Sequence, residues 1–494
     1  MNITDLLAHR ILLFDGAMGT ALQSAGLAAA ELPDTWNATH ADEVRAIHRS
    51  FLDAGCDVLT TNNFGSLSRI LEGSGFVAEE LVAAGVANAR AAVGEATRKA
   101  FVAAGFGPTR SFVEIPGGMS FDEAYRLYQG PVRAAEEAGA DLILFETFSD
   151  ILELKAAVLA AKENTGLPVF ATMTFEKNGR TLMGADPLTA LYTFQGLGLS
   201  AFGVNCSLGP DALMDIVKTL AANAAIPILA QPNAGLPEVA PDGSVHYDLP
   251  VDAFAESLLD MAGYGVGALG GCCGTTPACL RAVRDRLDAI PPEERPGRFP
   301  ALNPEWRAWK AEGAQPVICS ATEAVMLEYE YGAQLRPGGG RREEAWLKPG
   351  DPSLFLEPVH GSVSIPSYVE VADAGAQANP AWRAALLAGD FARAAESVAA
   401  LHRNGAQLIL LYTCVPDAPA DTGYSEADAL EGVVRVLAGA GRVPLLLAGS
   451  SPEAVGRALR ICKGKAGVSL SAAGGAEKSG ICAIAEKYGA VVVE

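Results

Sequence analysis

The stretch AGADLILFE, residues 138–146, decides the fold of the first half of the chain. A helical pattern runs up to Gly139, a short apolar strand follows, and Glu146 ends it. A glycine in this place suits the end of a helix, and an almost unbroken apolar strand suits a parallel sheet covered on both faces. The same unit returns at residues 54–62, AGCDVLTTN. The pattern therefore predicts a chain of repeated helix–strand units.

Working outward from this unit identifies eight strands. They are residues 11–15, 57–61, 102–106, 141–146, 168–173, 200–205, 226–231 and 266–270. Eight strands that alternate with helices predict a (β/α)8 TIM barrel. An open doubly wound sheet is the alternative, but no Gly-x-Gly-x-x-Gly motif follows the first strand.

The chain is long enough for more than one domain. At 494 residues, two domains are the natural expectation. We predict a barrel over residues 1–290, a proline- and glycine-rich linker and irregular segment over 291–365, and a smaller, incomplete α/β domain, similar to half a barrel, over 366–494.

Charge and composition argue against several classes of function. The net charge of −21 argues against nucleic acid or an anionic membrane as a partner. No apolar run approaches the roughly 18 residues of a membrane helix, and the amino terminus does not resemble a signal peptide. Nine cysteines without a dense framework fit a reducing compartment. The expected location is cytoplasmic.

Two adjacent cysteines, Cys272 and Cys273, follow the eighth predicted strand on the glycine-rich loop GGCCGTTP, residues 270–277. Their spacing alone leaves open two buried thiols or a metal site, whereas adjacent cysteines rarely form a disulfide without distortion. Cys206 leaves the sixth strand in the same way. Because the carboxyl ends of barrel strands meet on one face, the three thiolates could hold a tetrahedral zinc ion with one open position.

Acidic residues end two further strands. Asp15 is followed by Gly16 and Ala17, and an aspartate beside exposed backbone N–H groups can hold the ammonium and carboxylate of an amino acid. An ordinary Asp-Gly turn is the alternative. Glu146 is either a paired structural acid or a ligand for an ammonium group, because a carboxylate there needs a partner.

The paired motifs Asn-Cys-Ser, residues 205–207, and Gly-Gly-Cys-Cys-Gly, residues 270–274, resemble those of the zinc-dependent homocysteine S-methyltransferases. Over residues 8–290 the chain is most similar to the homocysteine-binding domain of cobalamin-dependent methionine synthases, including FETFSDILELK at residues 145–155. Two departures are TNNF at residues 61–64 and AGFGP at residues 104–108, where the family has Thr-Asn-Thr-Phe and Gly-Asp-Ile-Gly-Pro. Both could alter how a methyl donor is presented.

The resemblance implies a set of site residues. Cys206, Cys272 and Cys273 would bind one zinc ion per chain and form the catalytic centre. Asp15 and Glu146 would hold the amino group of homocysteine, the backbone beside Gly16 and Ala17 would receive its carboxylate, and Asn205 would belong to the substrate site.

The implied reaction is transfer of a methyl group to the thiol of homocysteine, giving methionine. The resemblance points to methylcobalamin as the donor, carried by a separate corrinoid protein because no Asp-x-His-x-x-Gly cobalamin motif occurs in this sequence. A small donor such as S-methylmethionine or a betaine is the alternative. A non-catalytic zinc-holding subunit of a methyl-transfer complex is another.

The C-terminal stretch, residues 366–494, resembles the first half of a pterin-binding domain. Apolar residues stand where that domain carries polar pterin ligands: Leu410, Leu411 and Tyr412 replace Asp-Val-Asn, and Ala448 replaces an aspartate. Folate binding and a dihydropteroate-type activity are therefore not expected. About five strands cannot close a barrel, so the open edge is expected to be covered by its own helices, by the first barrel or by a second copy of the chain, and the role to be structural.

Overall fold

A computed structural model describes residues 2–236, 238–239, 245–312, 317–320, 324–326, 328–329, 363–364, 371–375, 380–440 and 443–493. The chain divides into two compact units. The first comprises Met1–Gln195 with Leu199–Pro304, and the second comprises Gly196–Gly198 with Glu305–Glu494. Most of the predicted irregular segment before residue 366 lies outside the described residues, and the predicted domain limits stay predictions.

The first unit contains all eight predicted strands in one parallel sheet. Its strands are β1 Leu12–Leu13, β2 Val58–Thr60, β3 Phe101–Phe106, β4 Leu142–Phe148, β5 Val169–Met173, β6 Ala201–Asn205, β7 Ile228–Gln231 and β10 Ala268–Leu269. A short hairpin, β8 Glu238–Val239 and β9 Val245–His246, lies between the last two in sequence. The order β1-β10-β7-β6-β5-β4-β3-β2 confirms the TIM-barrel prediction, because the barrel strands from β2 to β10 follow one another as in the chain and the last of them pairs with the first strand, β1.

The seam between β1 and β2 nearly closes the barrel. Phe14 forms a parallel bridge to Val58. Two aspartates extend this contact with their side chains: Asp15 Oδ2 accepts from the Thr60 N–H (2.8 Å), and Asp57 Oδ2 accepts from the Leu13 N–H (3.0 Å). Carboxylates therefore supply acceptors along a seam with few backbone ladder bonds.

Helices surround the barrel and cover its outer face. They are Ile3–Leu7, Met18–Ser24, Trp36–Thr39, Ala41–Asp53, Ala78–Glu95, Phe121–Glu137, Ile151–Asn164, Pro187–Gly196, Pro210–Asn223, Val251–Gly263, Pro277–Asp288 and Arg295–Arg298, with 3-10 turns at Pro33–Thr35 and Pro300–Leu302. A further helix, Pro304–Glu312, belongs to the second unit from Glu305 on. Ser120 caps one of them with a capping box to Glu123, and Pro277 occupies the first turn of another.

Apolar side chains from every barrel strand fill the interior. Phe14, Leu144, Phe170 and Leu229 belong to one buried cluster, to which the first helix contributes Ile3. The barrel is therefore a packed core rather than a pore, and the residues available for chemistry are those beyond the strand ends.

The second unit contains a parallel sheet of five strands. They are β15 Val371–Gly375, β16 Leu408–Tyr412, β17 Leu445–Ala448, β18 Gly467–Ser469 and β19 Val491–Val493, paired in that order. Short antiparallel pairs join β11 Val317–Cys319 to β12 Ala324–Met326 and β13 Glu328–Tyr329 to β14 Val363–Ser364. Its helices are Pro380–Leu387, Phe391–Arg403, Glu426–Ala440, Pro452–Ile461 and Lys478–Lys487, with a 3-10 turn at Ala420–Thr422.

The strand order of this sheet follows the chain without a reversal, as in a segment of a barrel rather than a doubly wound sheet. This confirms the predicted smaller, incomplete α/β fold. Among the described residues, no helix is both long enough and apolar enough to span a bilayer.

Candidate metal centre and substrate site

The three predicted cysteines come together at the carboxyl ends of the barrel strands. Cys206, Cys272 and Cys273 each offer a sulfur atom, and the three Sγ atoms lie within 4.8 Å of one another. The Sγ atoms of Cys206 and Cys273 are 3.8 Å apart, and all three cysteines are free thiols. Three sulfur atoms at the usual 2.3 Å from one tetrahedral zinc ion would be about 3.8 Å apart, so the cluster has dimensions that fit zinc.

Backbone hydrogen bonds hold the two cysteine loops against each other. The Cys206 N–H donates to the Gln231 carbonyl (3.1 Å), and the Cys272 N–H donates to the Pro232 carbonyl (2.8 Å). The Gly271 N–H donates to the Asp15 carbonyl (3.1 Å), which ties the second loop to the end of β1. The thiol positions are therefore set by the ends of three strands rather than by flexible side chains alone.

Local backbone conformation also directs Cys206 toward the cluster. Cys206 and Ser207 have φ values of 60° and 56°, in the left-handed region that non-glycine residues rarely adopt. Such a conformation costs of order 1–3 kcal/mol and persists where surrounding structure imposes it. The turn moves the thiol away from the path that an extended strand would give it.

Unequal pKa values show how the cluster shares charge. Hydrogen bonds from the thiols of Cys206 and Cys272, with a further one from Tyr247, lower the pKa of Cys273 to about 3 despite its burial. Hydrogen bonds with the other two thiols, together with burial, raise the pKa of Cys272 well above its usual value. Burial and mutual hydrogen bonding thus favour protonation of Cys272, whereas a metal ion would stabilise all three thiolates.

The predicted acids lie beside the thiols in a poorly solvated environment. Asp15 is only 2% exposed, and burial raises its pKa to about 7 despite the hydrogen bond from the Thr60 N–H. Burial, followed by the charges of Asp15 and Cys273, raises the pKa of Glu146 to about 8. Two acids that interact with each other and with a thiolate form a site that favours a cation.

A bulge in β4 presents Glu146. The pairing register between β4 and β5 shifts between Phe145 and Phe148, and Thr147 has a φ value of 68°. The Thr147 N–H donates to Oδ1 of Asn205 (2.9 Å), and Nδ2 of Asn205 donates to Oγ1 of Thr147 (2.8 Å). The amide of Asn205 therefore clamps the bulge that carries the acid.

The structure places Asn205 beneath the site rather than on its surface. Asn205 is 1% exposed, its Oδ1 also accepts from the Thr172 hydroxyl (2.8 Å), and its Nδ2 lies 3.8 Å from Sγ of Cys272. The amide of Asn205 therefore positions the Thr147 backbone and lies against a proposed metal ligand, and its assignment to the substrate site stays a prediction.

The loop after Asp15 leaves no room for a side chain at Gly16. A Cβ atom there would lie 2.8 Å from the Thr275 carbonyl oxygen and 3.1 Å from the ring of Phe51. The Ala17 N–H already donates to the Thr275 carbonyl (3.3 Å). A carboxylate in this place would therefore use the exposed amides of the first helical turn, which begins at Met18.

Several polar groups around the site were not predicted as site residues. Tyr247 donates a hydrogen bond to Cys273, and its ring occupies the space that a side chain at Gly274 would need. Gln231 Oε1 and Asn233 Oδ1 are buried and have no hydrogen-bond partner in the described part of the chain. Unpartnered buried groups at strand ends are typical of a ligand site. Sequence spacing contains no signal for Tyr247, which follows the β8–β9 hairpin.

The similarity of this chain to known proteins agrees with the geometry of the cysteine cluster. Residues 12–287 match the sequence profile of the family described as homocysteine S-methyltransferase. A protein from Mycobacterium tuberculosis named methionine synthase is 35% identical over 313 residues, which are 60% of this chain and 26% of that protein. The methionine synthase of Mycobacterium leprae is 34% identical over 301 residues, 57% of this chain and 25% of that protein. The chain thus spans about a quarter of the length of these relatives.

Among solved structures, the metallated form of the homocysteine methyltransferase MmuM from Escherichia coli covers 57% of this chain and 99% of its own. Its sequence is 23% identical and the TM-score is 0.49.

Proposed function

The chain belongs to the homocysteine S-methyltransferase family, and on that premise we propose that its first unit transfers a methyl group to the thiol of L-homocysteine, giving L-methionine. The observation that carries the proposal is the cluster of Cys206, Cys272 and Cys273, whose three Sγ atoms lie within 4.8 Å at the carboxyl face of the barrel. Three protein ligands leave a tetrahedral zinc ion one position for a substrate.

Zinc bound to these cysteines would convert the substrate thiol into a thiolate at neutral pH, where a free thiol is a poor nucleophile. The three cysteines would hold the zinc ion close to Asp15 and Glu146. Asp15 and Glu146 would bind the ammonium group, since both carboxyl groups have pKa values raised by burial and a cation would favour their ionised forms.

Binding of the amino acid also positions the reacting sulfur. An ammonium held by Asp15 and Glu146 and a carboxylate held near Gly16 and Ala17 would fix the α-carbon. The side chain then extends toward the cysteine cluster. Such positioning is a large part of what an enzyme contributes to a bimolecular transfer.

The donor is the finer part of the proposal. We favour methylcobalamin carried by a separate corrinoid protein, in keeping with the relatives that are named methionine synthases. S-methylmethionine or a betaine remains the alternative donor, and a non-catalytic zinc-holding subunit the alternative role. Folate is not proposed as a ligand, because Leu410, Leu411, Tyr412 and Ala448 occupy the strand ends of the second sheet.

The test is zinc content and methionine formation from homocysteine and free methylcobalamin. Wild type, Cys272→Ala and the control Cys414→Ala, a partly buried thiol in the second unit, are compared. We expect one zinc and metal-dependent product for wild type and the control, with both lost in Cys272→Ala.

The other outcomes separate the alternatives. Bound zinc with turnover only on S-methylmethionine or a betaine would change the donor. Bound zinc without turnover on any donor, even when a corrinoid protein is added, would favour the non-catalytic role. No zinc after purification in excess metal would overturn the proposal.

A further inference from the structure

A cavity lies in the first unit, at the end of the barrel away from the cysteines. Its volume is about 400 Å³. Ile11 precedes β1, Lys99 precedes β3, and Leu287 lies in the last turn of helix Pro277–Asp288. The cavity therefore opens at the amino ends of the strands, whereas the cysteines follow the carboxyl ends.

Cationic side chains dominate the lining of this cavity. They are Arg10, Arg98, Lys99, Arg284 and Arg295. Asp288 also lines the cavity, and Asp57 lies fully buried behind it, in contact with three of the arginines. Five cations against two carboxylates leave a surplus of three positive charges, in a chain whose net charge is −21.

The single carboxylate of Asp57 cannot neutralise the excess positive charge of the lining. Its Oδ1 accepts from Arg98 (2.5 Å) and forms an ion pair with Nη2 of Arg10 (3.2 Å), and its Oδ2 accepts from Arg284 (2.6 Å) and the Leu13 N–H (3.0 Å). Two carboxylate oxygens offer about four acceptor positions, and three hydrogen bonds and an ion pair leave this carboxylate little capacity for a further cation. One arginine would suffice to neutralise it, and three converge on it.

Arg10 has hydrogen-bonding capacity left over. Its Nε is buried and has no partner in the described part of the chain, although a guanidinium group carries five N–H donors. Arg295 donates through Nε to the Ile290 carbonyl (2.9 Å), and its Nη2 reaches Asp288 only at 4.0 Å. The Arg10 side chain as a whole is 35% exposed, so an acceptor from outside the protein can approach its guanidinium group.

We propose that this cavity binds a small organic anion with at least two negative charges, through a phosphate or polycarboxylate group. Guanidinium groups match the oxygen geometry of both, and the excess charge requires more than one anionic oxygen. Phe299 and Leu302 form an apolar wall that would contact the uncharged part of such a ligand. A volume of about 400 Å³ suits a small metabolite rather than a macromolecule.

The test is calorimetric titration of the full, zinc-loaded chain with pyrophosphate and, separately, with citrate at low ionic strength. Arg295→Glu removes a lining cation that does not contact Asp57. Arg133→Glu makes the same charge change at an exposed position on helix Phe121–Glu137. We expect saturable binding with one site, and at least about a tenfold weaker Kd for Arg295→Glu only, because a charge is reversed at the ligand.

Binding of one probe but not the other would identify the phosphate or the carboxylate as the preferred group, and either result supports the proposal. Equal weakening in both variants would mean that only the overall charge attracts the anion, which overturns it. No saturable binding of either probe to wild type overturns it too. Lys99→Glu is the second variant if Arg295→Glu fails to fold, as judged by circular dichroism.

Discussion

Nδ2 of Asn205 lies 3.8 Å from Sγ of Cys272, while Oδ1 of the same amide accepts from the Thr147 N–H beside Glu146. A single buried amide thus connects one proposed metal ligand to the bulge that carries one proposed substrate ligand. An N–H donor directed at a thiolate withdraws charge from it and orients it.

We expect Asn205→Asp to weaken zinc binding, because the change removes a donor and adds a negative charge beside the thiolates. Loss of such a supporting contact typically reduces metal affinity about 10- to 100-fold. Competition with a chromophoric chelator measures the affinity. Asn178→Asp, at an exposed loop position, has the same charge change and should bind zinc like wild type.

Glu146→Gln should raise KM for homocysteine by about tenfold or more, because it removes one carboxylate from a buried site for an ammonium group. Steady-state kinetics measure the change, with the exposed Glu137→Gln as the control. An unchanged KM would show that Glu146 does not contact the substrate.

Wild type and Glu146→Gln also test the pH dependence of homocysteine binding. Burial raises the pKa of Glu146 to about 8, so its carboxyl group is mostly protonated below that pH in the free enzyme. Homocysteine should therefore bind better to wild type as the pH rises from 6 to 8. The slope should be shallower in Glu146→Gln, where only Asp15, with a pKa of about 7, remains.

His48 should make the first unit less stable in acid. Burial lowers its pKa to about 4, and neither ring nitrogen has a hydrogen-bond partner among the described residues. Between pH 6.5 and 4 the unfolded chain binds a proton at His48 that the folded chain does not. The free energy of unfolding therefore decreases as the pH is lowered through this range, by about 3 kcal/mol at pH 4.

His48→Met should remove this dependence while keeping an apolar side chain of similar size. Hydrogen exchange of helix Ala41–Asp53 at pH 5 and pH 7.5 measures it in wild type, in His48→Met and in the exposed control His9→Met. Equal loss of protection at pH 5 in all three proteins would show that other groups dominate.

Gly203→Ala should destabilise the barrel by about 3 kcal/mol, because overpacking at this level distorts the surrounding backbone. A Cβ atom at Gly203 in β6 would overlap the carbonyl group of Leu229 in β7. Gly94→Ala, on helix Ala78–Glu95, has no atom within 4 Å of its new Cβ and should stabilise the helix slightly. Chemical denaturation compares the two variants with wild type.

The barrel could be predicted from the sequence because each helix, each glycine at a helix end and each apolar strand is recognised from residues that are close together in the chain. The approach of Cys206 to Cys272 followed from that topology, since parallel strands bring their ends together. The bulge before Thr147, the inward turn of Asn205 and the hydrogen bond from Tyr247 were not predicted. Each depends on contacts between distant parts of the chain, which local spacing does not encode.

The 3.8 Å between the sulfur atoms of Cys206 and Cys273 also has a consequence for oxidation. At this distance the two sulfur atoms could also form a disulfide with each other if an oxidant is present. The lowered pKa of Cys273 favours its thiolate, which is the reactive form. Metal binding and disulfide formation therefore compete for the same sulfur atoms. A preparation that loses its metal in air would lose the site as well, and restoring it would take a reductant before any added metal.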